Sequence, residues 1–245
     1  MAAERLPDLL PEADLGGADL RSTNLEHANL TKAVCTGALF EGASVSGARL
    51  TGASAAGARM SGVDLSGCDL GGADLTSADL SGARLAGGRL EGTLLAGADL
   101  HGADLTAAVI ESVDLEGANL SGAKLVRTDL RRARLSSCRL AGADLTEARI
   151  ERAQLSGVDL RGVKLASTSL VQTLFEGAEA PGVSFSGCDL TSSTFSGANL
   201  AGALFVDTIA RQTSFERADL TSAKMQRIKA PLANFGGAHI DEADL

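Results

Sequence analysis

The chain has 245 residues, is 44% apolar but only 3% aromatic with no Trp or Tyr, and carries a net charge of −9. A core can be buried, yet the aromatic platforms on which single-stranded nucleic acid stacks are nearly absent. The negative balance disfavours direct binding to DNA or to an anionic membrane and suits a basic partner.

The first stretch, MAAERLPDLLPEADL, lacks the apolar core of a secretory signal, and no later run approaches membrane-spanning length. Cys35, Cys68, Cys138 and Cys188 form no CxxC pair, so neither a zinc site nor a disulfide framework is indicated. A soluble protein of a reducing, cytoplasmic compartment is expected. Residues 1–12 lie outside the pattern that follows. Leu6, Leu9 and Leu10, flanked by Pro7 and Pro11, are expected to fold over its open first edge as a cap.

From residue 13 to residue 245 one repeat runs without insertion. Every position divisible by five from Leu15 to Leu245 is apolar or small: of 47 slots Leu fills 29 and Phe 7. Two residues earlier lies a second slot, Ala in 29 of 47 cases and otherwise mostly Thr, Val or Cys. Two residues after the apolar slot stand 25 of the 29 glycines.

Neither regular element can use a period of five. On a helix the leucines would spiral around every face. On a long strand they would alternate between faces, because five is odd. A chain that turns a corner in every repeat can use it. Two residues of each short extended side then point inward, and Gly suits the corner because it tolerates φ > 0.

The units CDLGG, ADLTS, ADLSG and ANLSG resemble the A(D/N)LXX consensus of the pentapeptide-repeat proteins. The resemblance spans nearly the whole chain and implies an all-β fold, a right-handed quadrilateral β-solenoid with four units per coil. Positions 20 apart would then stack. The phenylalanines agree: Phe175, Phe195, Phe215 and Phe235 would form one ladder, and Phe185 and Phe205 another on the opposite wall. Ala180, Ala210 and Ala230 on the other two walls would compensate their bulk. The expectation is one uninterrupted domain of about 12 coils, a rod ~55 Å long at ~4.8 Å per coil.

The repeat runs to Leu245, and a final coil would expose Ile228, Phe235, Ile240 and Leu245 edgewise. A twofold, end-to-end homodimer through these residues is expected.

No chemistry assembles. His27, His101 and His239 take outward positions far apart, the four Cys point inward, and Asp74 and Asp114 sit on a convex wall without a cleft. Neither a metal site nor a Cys–His nucleophile is expected. The Gly-rich runs have no following helix to cradle a phosphate. The reading is a protein that is not an enzyme and needs no cofactor or metal.

The surface carries the information that remains. The wall centred on Leu80 and Leu100 sums to −5 and includes Asp79, Asp99, Asp159, Glu179 and Asp219. The adjoining wall, with Asp74, Asp114, Glu116 and Glu176, sums to −4. The wall centred on Leu70 sums to +3 and includes Arg131, Arg132, Arg149 and Arg152. These nine acidic residues are the expected partner-binding surface. The resemblance implies what such a surface does in relatives of the Qnr and MfpA type: it mimics duplex DNA and engages bacterial type II topoisomerases, conferring antibiotic resistance. By that analogy DNA gyrase or topoisomerase IV is one expected partner. The alternative is a rigid scaffold for another protein, unrelated to topoisomerase. The modest net charge, the Arg cluster and the lack of protruding loops and of a dimerising helix depart from that type.

Overall fold

The computed structural model describes residues 10–244, and the expected cap falls mostly on residues 1–9, outside them. The described chain contains no helix. It is a stack of short parallel bridges, each joining a residue to the one 20 positions on, from Asp14 with Val34 to Lys224 with Asp244. Four five-residue units therefore complete each coil, as the phenylalanine spacing predicts. Residues 10–12 already belong to the stack: the Leu10 N–H donates to the Asn29 carbonyl, and Ala13 closes the first turn onto Leu10.

The unit Ala78–Asp79–Leu80–Ser81–Gly82 shows how the backbone is satisfied. Ala78 N–H closes a turn onto the Leu75 carbonyl at 3.0 Å. Asp79 N–H reaches down to Ala58 at 2.9 Å, while Leu80 and Gly82 N–H reach up to Asp99 and His101 at 2.7 and 2.8 Å. The remaining donor, Ser81 N–H, goes to the Asp79 side chain, Oδ1, at 3.0 Å. All five N–H groups of the unit are thus used. This explains the Asp or Asn before the leucine: a short side-chain acceptor there caps an N–H that the ladder leaves over.

Each corner is a four-residue turn with φ > 0 only at its third position, the type II signature. From Glu12 to Glu242 every such residue has φ between 55° and 74°. Glycine takes 25 of these positions, and Ser, Arg, Gln, Glu and others take 22. At those 22 the fold overrides a local preference worth about 1–2 kcal/mol per residue.

The interior is continuous from Leu20 to Met225. Phe175, Phe195, Phe215 and Phe235 stack face to face with centroids 4.6–5.5 Å apart. Phe185 and Phe205 enter from the opposite wall and meet them edge-on, as at Phe185–Phe195, 5.4 Å and 83°. Alternating edge and face is the favoured aromatic arrangement. Buried polar residues in the Ala slot are satisfied in one recurring way: the hydroxyls of Thr93, Thr128, Thr168 and Thr213 each donate at 2.7–2.8 Å to the carbonyl 23 residues earlier. The thiols of Cys68, Cys138 and Cys188 follow the same rule.

Candidate protein-binding surfaces

The cysteines, read from sequence as core filling, are buried and free. Burial pushes their thiols up, to about 11 at Cys35 and Cys68 and about 12 at Cys138 and Cys188. They are protonated at neutral pH and poor nucleophiles. His27, His101 and His239 are exposed and dispersed. Among the described residues no three His, Cys, Asp or Glu side chains are placed to hold a metal ion, and no helix is long and apolar enough to cross a membrane.

The acidic walls are less uniform than their summed charge implies. Asp79 and Asp99 occupy adjacent coils of one ladder, so their carboxylates lie about 4.8 Å apart along the axis. Asp99 also accepts from the Asn119 amide at 2.9 Å. On the adjoining wall Leu94 separates Asp74 from Asp114. Asp159 is gripped by its neighbour Arg161 at 2.5 Å, and that guanidinium, with the Arg161 N–H, holds its carboxyl below the usual range. Arg134 takes both Asp114 at 3.1 Å and Glu116 at 2.6 Å.

Three of the nine expected contact residues are therefore ion-paired in place, Asp159 by its own arginine and Asp114 and Glu116 by a shared one that leaves a single negative charge between them. The other six bond only neutral donors among the described residues: Asp74, Asp79, Asp99 and Asp219 cap backbone N–H groups, Glu176 accepts from Ser156 and Glu179 from Asn199. Thr221 holds the Asp219 carboxyl below its ordinary range. Each of these capping Asp uses one oxygen for its turn, and the other makes no hydrogen bond among the described residues.

At the C-terminal end the expected apolar edge is visible. Ile228 is half-buried, and Phe235 and Ile240 are 37% and 47% exposed; Leu245 lies outside the described residues. Leu232, at a corner rather than in an apolar slot, is 77% exposed and joins them. Elsewhere Val34, Leu94, Leu174 and Ile209 are exposed singly, which is ordinary for a soluble surface.

On the wall centred on Leu70 the four arginines singled out above converge with Glu111 and Glu151 around a surface cavity of about 240 Å³. The sequence places these residues on one wall through their 20-residue spacing. It does not show the cavity between them.

Comparison with known proteins is consistent with the repeat. A family model described as pentapeptide repeats matches residues 9–34, 33–72, 73–111 and 198–237, and one described as a pentapeptide repeat region matches 128–205. No curated protein matches significantly. Among solved structures, the chain is similar to HetL, a pentapeptide-repeat protein involved in heterocyst differentiation regulation in the cyanobacterium Nostoc sp. strain PCC 7120. The two share 29% identity over 93% of this chain and 89% of that one, with a TM-score of 0.64. Trypsin-treated QnrB1, a plasmid-mediated fluoroquinolone resistance protein, is matched at 19% identity over 80% of this chain and 89% of that one, with a TM-score of 0.37.

Proposed function

The chain belongs to the pentapeptide-repeat family, a right-handed quadrilateral β-helix, and from that premise we propose that it is a non-catalytic, protein-binding rod of about twelve coils. It works in a reducing compartment and presents fixed rows of side chains to a partner. One observation carries the reading: Asp79 and Asp99 stand in register, with Asp74 on the next wall, and none makes an ion pair among the described residues, Arg59 on the rung beside Asp79 being turned to Glu41 at 2.7 Å. Rigid rows of carboxylates on a convex surface suit recognition of a basic protein groove. The regulatory involvement of the HetL-like relative supports a scaffold rather than a catalyst.

The narrower reading is DNA mimicry toward gyrase or topoisomerase IV, giving resistance or self-protection. Supercoiling by gyrase, with and without a fluoroquinolone, tests it as this protein is titrated in. Mimicry predicts inhibition or drug protection that the triple variant D74K/D79K/D99K loses. D159K, at a site already neutralised by Arg161, serves as the matched control and retains the effect. No change in supercoiling up to tens of micromolar removes the topoisomerase reading and leaves the scaffold for another partner. The proposal also includes pairing of two copies through Ile228, Phe235 and Ile240. A light-scattering mass of one chain at micromolar concentration would remove that part.

A further inference from the structure

Many exposed cations on this rod stand apart from one another and are matched one to one. Arg21, Arg161 and Arg227 each close on a single aspartate at 2.5–2.6 Å. The corner after the Leu70 wall instead gathers four guanidiniums around one cavity. The coil register stacks Glu111, Arg131 and Glu151 above one another, with Arg132, Arg149 and Arg152 beside them around the 240 Å³ cavity. Arg131 is fully engaged, with Asp129 at 2.6 Å and Glu111 at 3.1 Å.

The other three guanidiniums are not. Arg132 comes no closer to Glu111 than 3.6 Å. Arg149 reaches Glu151 at 3.4 Å and Asp129 at 4.0 Å. Arg152 has no carboxylate in reach among the described residues, and its Nε donates to the Gln172 side chain at 2.8 Å. Four guanidiniums thus face the three carboxylates of Glu111, Asp129 and Glu151, leaving one positive charge over. One acceptor is also left over: Oε2 of Glu151 is shielded from solvent and receives no hydrogen bond. A shielded carboxylate oxygen without a donor is costly.

We propose that this corner docks an acidic segment of a partner protein. One Asp or Glu carboxylate of the segment draws Arg132, Arg149 and Arg152 onto itself, their forked donors suiting it; as Arg149 leaves Glu151, Oε2 is uncovered and accepts from a backbone N–H beside that carboxylate. A single carboxylate brings the cluster to neutrality. A phosphate dianion overshoots that balance, faces Glu111 and Glu151, and supplies no donor for Oε2. A peptide supplies charge and donor together, and the methyls of Val171 and the amide of Gln172 at the cavity's far end give its backbone something to rest on. The inference rests on the reading of the rod as protein-binding, but not on the acidic walls.

The test uses the full chain and a fluorescein-labelled peptide of alternating Gly and Glu, with binding read by anisotropy. Arg132 and Arg152 sit at corners with φ 59° and 62°, where Gly is the natural occupant, so R132G/R152G removes both guanidiniums without harming the turn. This variant is expected to bind at least about tenfold more weakly, and the peptide with Gln for Glu not to bind. E151A removes a negative charge, so a site for anions alone would tighten; here the affinity is expected to fall about threefold. Equal affinity in R132G/R152G, tighter binding in E151A, or no binding to the parent protein overturns the proposal. So does displacement by millimolar inorganic phosphate, or capture of a labelled DNA duplex that R132G/R152G abolishes, either of which assigns the cluster to phosphates. D74K/D79K/D99K leaves this corner untouched, so failure here is separable from failure of the acidic surface.

Discussion

Phe175 and Phe195 lie face to face, centroids 4.6 Å apart and planes within 5°, although 20 residues separate them in the chain. Phe195 also meets Phe185 edge-on and stacks on Phe215. Removing the middle ring leaves a void lined by three others. F195A is expected to lower stability by about 3–5 kcal/mol, and F195L by clearly less. Urea denaturation followed by circular dichroism measures the difference. Hydrogen exchange should show the loosening confined to coils near 175–215, because each coil contacts only its neighbours.

The hydroxyl of Thr93 donates to the Leu70 carbonyl at 2.8 Å, and that carbonyl also accepts the Ala73 N–H at 2.9 Å. T93V keeps the shape and deletes the donor. The carbonyl retains one partner, so the loss is expected near 1 kcal/mol rather than the larger penalty of an orphaned group. A change in denaturation midpoint at constant m-value reads it.

Ala107 turns a corner at φ 56° with no polar side chain to compensate the strain. Mid-helix or mid-strand, Ala to Gly destabilises. Here A107G is expected to stabilise by about 0.5–1 kcal/mol, since relief of the left-handed strain exceeds the extra entropy of the unfolded chain. A lower melting temperature would contradict the assigned turn.

Acid should act on the capping aspartates. The Arg21 guanidinium and N–H bring the Asp19 carboxyl down to about 2. Asp64 and Asp144 are lowered, first by hydrogen bonds from Ser66 and Thr146; at Asp129 the bonds and charge of Arg131 outweigh the opposing effect of burial. Unfolded, these groups titrate near 3.9. Their folded values lie lower, so the unfolded chain binds more protons in acid. Stability from these groups is full above about pH 5 and is lost as pH falls through 4 toward 2. The thiols act at the other end: raised folded values favour the fold below about pH 8.5 and cease to as pH climbs toward 12. Denaturant midpoints across pH measure both limbs.

Much of the architecture was legible in the residues because the coil repeats in sequence what it repeats in space. Leu every fifth residue and Phe every twentieth announce the corner and the four-unit turn directly. The Asp before each leucine was harder. Asp79 and Asp99 read as free surface charge, yet each spends one oxygen on the N–H of its own corner. Neutralisation was hidden for a similar reason. Asp159 meets Arg161 two residues on, while Asp114 meets Arg134 in the next coil. Counting charge per wall cannot choose between such neighbours, and it cannot reveal that Arg152 is left without one among the described residues.

The ladder has a mechanical consequence. Its hydrogen bonds run along the axis within bridges that pair residues 20 positions apart, and among the described residues no strand is shared between distant coils. A force pulling the two ends apart would therefore load one rung at a time, as in opening a zip. Under tension the molecule should lengthen in equal steps, each releasing 20 residues of about 3.4 Å apiece, with the phenylalanine-filled coils the last to yield.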